Sequence, residues 1–340
     1  MSIVKNDQMA LQALIQSLAH RASVPGVSIA VIRHGEVAVT AAGIRDIVGR
    51  ESVNAQTVFD VASLSKPMMA YAVLQLADRG ALNLDEPLSR YVPPIVPDDT
   101  AAVAITARHI LAHTSGLPNL RGKETLRIHF APGARFSYSS VGFTYLQSAI
   151  EAATGESLEP IMKQLVFEPL NMMSSSFIWQ PRFVNNAANP HEGGARIEKH
   201  HPQTANASYS LQTTAADYGS FMAAVLKGDR LKPATFSEWL TPAVNVPSRS
   251  ATNLEREIIE MDAGVAWGLG WGLEPTHSTF FQWGKMPGVR AFVMGSTDKH
   301  AGIVVFTNSN TGLRLIDEVT RTVLPGDHPA FKWLEACVSE

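Results

Sequence analysis

Apolar residues recur at helical spacing in some stretches of the chain and cluster into short β-rich runs in others. Residues 7–20 show helical spacing and predict an opening helix. Residues 27–43 form two β-rich runs around a His-Gly pair and predict a hairpin. Residues 68–79 are apolar on nearly every side and are followed by Gly80, a pattern that predicts a buried helix ending at a glycine.

The middle and the end of the chain differ in pattern. From Leu82 to about Pro202 the sequence is helical and interrupted by proline and glycine, which predicts a helical insert. Residues 213–228 predict another helix, and three β-rich runs between 278 and 309 predict an antiparallel meander closed by a helix at 313–324.

Together these elements predict an α+β fold, with an antiparallel sheet flanked by helices, an inserted all-helical domain and an active site in the cleft between them. The predicted sheet domain comprises residues 1–62 and 205–340, and the mainly helical insert comprises residues 63–204.

Composition narrows the classes of function. The 340 residues are 45% hydrophobic and 17% charged with a net charge of −3, which is typical of a compact globular protein and predicts neither a nucleic-acid nor a membrane partner. The single cysteine, Cys337, excludes an intrachain disulfide and predicts a spectator thiol. No signal peptide is recognisable at the N-terminus, which predicts a cytoplasmic location, and the composition leaves the oligomeric state open.

The strongest candidate for chemistry is Ser63-Leu64-Ser65-Lys66, directly before the predicted buried helix. A spacing of three residues places Ser63 and Lys66 on one helix face, where the lysine can accept the serine proton. Pro67 is tolerated only in a first helical turn, so the helix has to begin close to Ser63. Burial there is expected to hold Lys66 toward its neutral form, and the free N–H groups are expected to stabilise an oxyanion.

The same spacing recurs at Ser296-Thr297-Asp298-Lys299, in a polar turn between two predicted strands. No helix aligns the serine and lysine there, and solvent keeps the lysine charged. This second copy is therefore interpreted as a hairpin loop, and sequence context selects Ser63.

Tyr138 follows a Pro-Gly turn and precedes a helix for which Ser139 or Ser140 is the expected N-cap. A tyrosine in such a loop can project into a cleft and share general acid and base work with Lys66. The alternative is that its ring only packs between domains.

Trp283-Gly284-Lys285 ends a predicted strand, and Met286 follows. Glycine lets a substrate approach the backbone closely, and the N–H group after it would be a second oxyanion donor beside that of Ser63. The alternative is an edge turn with an interfacial tryptophan.

Other chemistries are weakly supported. His109 and His113 share a helix face, but the glutamate of a zinc-binding HExxH motif is missing, so His113-Thr114-Ser115-Gly116 is interpreted as a helix terminus whose side chains meet loose backbone groups. The glycines of residues 268–273 lack the third glycine of a dinucleotide-binding loop, and no G-x-S-x-G motif occurs. No cofactor and no metal are expected.

Eight segments in order resemble the class C-like branch of the serine β-lactamase and penicillin-binding-protein superfamily, which includes family VIII carboxylesterases, amidases and peptidases. Besides the Ser63 motif, they include PGVSIAVIRHG, ILAHTSGLP, PGARFSYSS and FEPLNM. The resemblance implies Ser63 as the acylated nucleophile, Lys66 as its proton acceptor, Tyr138 as the loop tyrosine and residues 283–286 as the third motif.

The chain departs from that family pattern at two motifs. Ser140 stands where β-lactamases and peptidases of this branch usually have asparagine after Tyr-x, so a hydroxyl replaces the amide that holds the substrate there. Trp283-Gly284-Lys285 stands where they carry Lys-Thr-Gly or His-x-Gly, and the resemblance implies that these three residues and Ser140 contact the substrate. Loss of the cation at the first position favours uncharged esters over substrates with a carboxylate. If Gln282 instead occupies the first position of the third motif, the backbone N–H group of Lys285, rather than that of Met286, is the oxyanion donor.

These observations predict a serine hydrolase that acts through an acyl-enzyme intermediate on small or medium acyl esters. The alternatives are an amidase or peptidase acting on D-amino-acid or cyclic amides, a β-lactamase, and a non-catalytic scaffold with the same fold.

Overall fold

The computed structural model describes residues 5–247, residue 254 and residues 264–338. A five-residue π-helix, Lys163–Phe167, directly follows the sixth α-helix. No helix in these residues combines the length and the apolar character needed to cross a bilayer. The α-helices in this part of the chain are α1 (Lys5–Arg21), α2 (Ser65–Asp78), α3 (Thr100–Val103), α4 (Ala107–Leu111), α5 (Ser140–Thr154), α6 (Leu158–Met162), α7 (Ala215–Lys227), α8 (Pro233–Trp239), α9 (Leu313–Val323) and α10 (Pro329–Val338).

The strands range from two to eight residues in length. They are β1 (Gly26–Arg33), β2 (Glu36–Gly43), β3 (Phe59–Asp60), β4 (His191–Glu192), β5 (Ala195–Arg196), β6 (Gln212–Thr213), β7 (Val244–Asn245), β8 (Ala266–Trp267), β9 (Gly272–Glu274), β10 (Thr279–Met286), β11 (Val289–Ser296) and β12 (Ala301–Thr307).

The chain forms two compact units, and the first comprises residues 1–65, 162–229 and 281–326. Its main sheet has the strand order β2-β1-β12-β11-β10. Strand β12 is central, because its Val305 pairs antiparallel with Ile29 of β1 on one side and with Phe292 of β11 on the other. Helix α7 packs on β1, β2 and β12, α1 packs on β2, and α9 packs on β11 and β12.

Burial explains the sequence of these strands. Every residue of β1 except Arg33 is buried, as is every residue of β12. Because side chains alternate between the two faces of a sheet, continuous burial means that both faces are covered. The predicted hairpin is confirmed, and its turn residues His34 and Gly35 both have positive φ angles, 49° and 85°, which match the twist of the strands.

The second unit comprises residues 66–161, 230–280 and 327–340. It contains most of α2, the short strands β7 to β9, and α10. The side chain of Cys337, in α10, lies outside the described part of the structure. The ring of Tyr71 in α2 stacks on Trp239 at 5.4 Å between centroids. Gly270 has a φ of 99°, and a Cβ there would lie 2.6 Å from the Cβ of Ala70, so the glycine-rich segment serves close packing against α2.

The predicted α+β class with an antiparallel sheet is confirmed. The two compact units divide at residues other than those of the predicted domains: 162–204 lie in the first unit, and 230–280 and 327–340 lie in the second. Short β pairings explain the first difference, because residue 176 bridges to Gln212 and Val58 bridges to Ala187 within the first unit. Such isolated bridges leave no periodic pattern in a sequence rich in proline and glycine. The predicted position of the active site in a cleft stays a prediction.

Candidate active site

The candidate nucleophile lies in a 3-10 turn, Ala62–Leu64, that continues directly into α2. From Thr57 to Leu76 every residue is buried except Ser63, which is half-buried. The residue before it, Ala62, has a φ of 49°, a left-handed conformation that costs a non-glycine residue energy and is concentrated at functional sites. The chain therefore exposes one serine at the head of a buried helix.

Hydrogen bonds from distant residues hold this turn. The Ser65 hydroxyl donates to the Ala62 carbonyl at 2.7 Å and accepts from the Leu211 amide at 3.1 Å. The buried Tyr218 hydroxyl donates to the Leu64 carbonyl at 3.0 Å. Because these partners come from β6 and α7 or their flanks, the turn is fixed by the body of the first unit and not by local sequence alone.

Lys66 is three residues beyond Ser63 along this continuous helical segment, and its side chain is completely buried. Burial lowers the pKa of Lys66 from its ordinary value of 10.5 to about 7. Near neutral pH a large fraction of the molecules therefore carries an uncharged amine, which can accept a proton.

The structure brings Lys66 and Tyr138 together. The Lys66 Nζ atom lies 5.0 Å from the ring centroid of Tyr138 and 5.6 Å from that of Phe143 at the start of α5. Tyr138 is buried and lies in an extended segment just before α5. A buried amine able to take a proton thus lies close to the ring of a buried phenol able to give one.

His113 also contacts Tyr138. Their ring centroids are 4.2 Å apart, and Phe136, Phe143 and Trp267 also pack on the imidazole. The interpretation of residues 113–116 as a helix terminus whose side chains meet loose backbone groups is confirmed, since the Thr114 hydroxyl donates to the His109 carbonyl at 3.3 Å. The His113 side chain, however, meets a group that is distant in sequence. Its Nδ1 atom accepts the backbone N–H of Ser139, 26 residues later, at 3.0 Å. No sequence periodicity links residues so far apart.

Helix α5, which follows Tyr138, begins at Ser140, and of the two expected N-cap residues it is Ser139 that caps it. The Ser139 hydroxyl accepts from the Gly142 amide at 2.9 Å and donates to the Pro118 carbonyl at 2.8 Å. Ser140, predicted to contact substrate, is half-buried and donates its hydroxyl to the Asn119 side-chain oxygen at 3.0 Å. No sequence motif indicates Asn119, whose side-chain amide lies beside Ser140, the position at which the family pattern has an asparagine.

The candidate third motif lies at the end of β10. Gln282 is buried and donates its side-chain amide to the Ser63 carbonyl at 3.2 Å. Gly284 is two residues on and therefore faces the same side, where a Cβ would lie 2.1 Å from the Val61 carbonyl oxygen. Only glycine fits at position 284, which favours the register with Gln282 first and Gly284 third.

The remaining residues of the candidate third motif are Trp283, which alternates with Gln282 and Gly284 and so faces away from the Ser63 turn, and Lys285 and Met286, which follow Gly284 to the end of β10. Trp283 is buried, Lys285 is exposed and Met286, the last residue of β10, is half-buried. Burial of its stem, followed by the nearby charge of Arg290, lowers the pKa of Lys285. In the favoured register the N–H group that follows the glycine is that of Lys285, not that of Met286.

The two histidines considered as metal ligands both accept backbone N–H groups. His109 Nδ1 accepts from Thr106 at 3.2 Å, and His113 Nδ1 accepts from Ser139. A search of the described residues finds no group of three or more side chains able to hold a metal ion.

The fold and this geometry define a class of protein: the chain is a member of the serine hydrolase superfamily with a β-lactamase-like fold. The sequence profile of the family described as Beta-lactamase matches residues 11–324, and the chain belongs to that family.

Individual relatives are more distant. Protein flp of Staphylococcus aureus (strain N315) is 24% identical over 336 residues, which cover 91% of this chain and 64% of flp. Esterase EstB of Burkholderia gladioli is 33% identical over 195 residues, which cover 48% of this chain and 49% of EstB. A solved structure described as a class C beta-lactamase superposes with a TM-score of 0.77 at 19% identity and covers 99% of this chain and 98% of that chain, so the fold is shared. This chain thus spans somewhat less than two thirds of the length of flp.

Proposed function

We propose that the protein is an esterase that hydrolyses small or medium acyl esters through an acyl-enzyme at Ser63. The observation that carries this proposal is the buried Lys66 amine, with its pKa lowered to about 7, one helical turn after a serine that is itself accessible. A serine hydroxyl is a weak nucleophile until a neighbouring base removes its proton, and an uncharged lysine is such a base.

In the first half of the proposed reaction the Ser63 Oγ atom attacks the ester carbonyl while its proton passes to Lys66. The tetrahedral oxyanion accepts hydrogen bonds from the backbone N–H groups of Ser63 and Lys285. Collapse of the intermediate breaks the ester C–O bond, and the alcohol leaves with a proton delivered from the Lys66 and Tyr138 pair. In the second half, water gives its proton to the same pair, attacks the acyl-enzyme and releases the carboxylic acid and Ser63.

Ester chemistry is favoured over recognition of a carboxylate. In the register set by Gly284, the first position of the third motif is Gln282, whose amide is buried and donates to the Ser63 carbonyl. A neutral amide engaged in this way does not replace a cationic carboxylate anchor. The resemblance to the esterase EstB of Burkholderia gladioli supports the same choice.

The proposal is tested by measuring hydrolysis of p-nitrophenyl acetate and butyrate by the wild type, Ser63→Ala and Ser296→Ala proteins. We expect activity in the wild type and in Ser296→Ala, and none above background in Ser63→Ala. An inactive wild type contradicts the esterase proposal. D-aminoacyl p-nitroanilides and nitrocefin, assayed in parallel, then distinguish an amidase or peptidase from a β-lactamase.

A further inference from the structure

His113 is hydrogen-bonded to both chain neighbours of Tyr138. Its carbonyl accepts the Ser137 N–H at 2.7 Å, and its Nδ1 atom accepts the Ser139 N–H at 3.0 Å. The imidazole ring itself lies 4.2 Å from the Tyr138 ring. The φ of His113 is 55°, a left-handed conformation that is uncommon for residues other than glycine. One residue therefore fixes the backbone on either side of Tyr138 and one face of its ring.

We propose that His113 is a positioning residue for the Lys66 and Tyr138 pair and that it holds Tyr138 by accepting the Ser139 N–H. This inference rests on the function proposed above. His113 transfers no proton itself. It keeps the Tyr138 ring in place against the Lys66 Nζ atom, which lies 5.0 Å from the centroid. Small displacements of a proton donor cost rate without abolishing substrate binding.

The hydrogen bond requires a neutral ring with one tautomer. Because Nδ1 accepts an N–H group, the ring proton resides on Nε2, which is buried and has no hydrogen-bond partner among the described residues. Protonation of Nδ1 would direct one N–H group at another and break the contact. Burial, and then the charge of Lys66, hold the pKa of His113 well below its ordinary value.

The surroundings add no opposing charge. The ionisable groups that face the imidazole are Lys66 and the Tyr138 phenol, and the other packed rings are Phe136, Phe143 and Trp267. Among the described residues, the charge that acts on the pKa of His113 is that of Lys66 and not that of a carboxylate, so nothing there favours an imidazolium.

Three variants separate positioning from simple packing. His113→Asn keeps an acceptor oxygen near the Nδ1 position and tolerates the left-handed φ. His113→Phe keeps a ring of similar size but removes the acceptor. His109→Phe is the matched control, since His109, four residues before His113, also accepts a backbone N–H at Nδ1, from Thr106 at 3.2 Å.

In steady-state hydrolysis of p-nitrophenyl butyrate we expect His113→Phe to lower kcat by about 10- to 100-fold, with KM changed by less than about twofold. His113→Asn should retain kcat within about threefold of wild type, and His109→Phe should match wild type. Equal kcat values for His113→Phe and wild type would overturn the inference, as would a His113→Asn variant as slow as His113→Phe. An inactive wild type would instead contradict the proposed function.

A second measurement does not depend on ester hydrolysis. In the wild type labelled with 15N-histidine, NMR should show one imidazole in the Nε2–H tautomer that does not titrate between about pH 5 and 9 and that is missing in the folded His113→Asn protein. A His113 signal that titrates in this range, or an Nδ1–H tautomer, would overturn the inference whether or not esters are turned over.

Discussion

Two of the Ser-x-x-Lys copies in the chain, at Ser63 and at Ser296, have opposite patterns of burial. In the first, Ser63 is half-buried and Lys66 is completely buried. In the second, Ser296 is buried at the end of β11, and Lys299 is exposed in the turn that follows. The Ser296 hydroxyl accepts the Lys299 backbone N–H at 3.3 Å, and the Lys299 amine donates to the Pro325 carbonyl at 3.1 Å.

The difference shows that the spacing by itself carries no chemistry. A nucleophile has to be reached by its substrate, and its base has to be uncharged, so the serine must be accessible and the lysine buried. A helix meets both conditions when it begins at the protein surface and runs into the core. A hairpin turn reverses them, because its strand residue is buried and its turn residues face water.

Covalent labelling gives the largest expected difference between the copies. A fluorophosphonate should modify Ser63 to completion and leave Ser296 unmodified, because only the first serine is both accessible and next to a base. Peptide mapping by mass spectrometry locates the adduct, and Ser63→Ala is the control that should lose it. An adduct on Ser296, or labelling that persists in Ser63→Ala, would refute the assignment.

Replacing the lysine of each copy should give the next largest difference, in kcat/KM. Lys66→Met should lower kcat/KM for p-nitrophenyl butyrate by about 10²- to 10⁴-fold, the usual loss when a general base is removed. Lys299→Met should leave it unchanged, since that amine is exposed and donates to the Pro325 carbonyl. Comparable losses in both variants, or none in Lys66→Met, would mean that burial does not select the base.

The pH dependence sharpens the comparison. Because burial lowers the pKa of Lys66 to about 7, its amine is protonated and inactive as a base at lower pH. We expect kcat/KM of the wild type to fall about tenfold per pH unit below this value and to level off above it. Lys299→Met should follow the same curve. A profile that is flat between pH 5 and 8 would contradict Lys66 as the base.

Much of the fold follows from local patterns in the sequence. The hairpin of β1 and β2, the buried helix α2 and the meander of β10 to β12 each have a strong periodicity or turn signal, and each forms as predicted. The boundaries within residues 162–204 were not predictable in the same way. The residues there are joined to the first unit through isolated bridges and single hydrogen bonds, such as Ser175 with Asp217 at 2.8 Å.

In the candidate site, too, local relations were predictable from the sequence and distant ones were not. Ser63 and Lys66 are predictable because their relation is local, three residues within one helix. The partners that hold them are not: Leu211 bonds to Ser65 across 146 residues, and Gln282 bonds to Ser63 across 219. The sequence marks His113 as a polar residue at the end of a buried helix. Only the fold shows that its Nδ1 atom accepts the N–H of Ser139, the residue after Tyr138.

Stability gives the smallest expected effect, and its sign is opposite to that of activity. Folding lowers the pKa of Lys66, so the unfolded chain binds more protons between pH 7 and 10.5, and stability rises with pH across that range. The cost of burying the amine is therefore greatest below about pH 7. Lys66→Met removes it and should raise the free energy of unfolding in urea by roughly 2–4 kcal/mol at pH 6, and by less at pH 9.

Lys299→Met should change the unfolding free energy by less than about 0.5 kcal/mol at either pH, as for other exposed positions. A Lys66→Met protein that is less stable than the wild type, or a gain that does not shrink as the pH rises, would show that burial of this amine is not what lowers its pKa. If both expectations hold, the first Ser-x-x-Lys copy is maintained against its own stability cost, whereas the second is neutral. Such a cost is expected of a catalytic group and not of a hairpin turn.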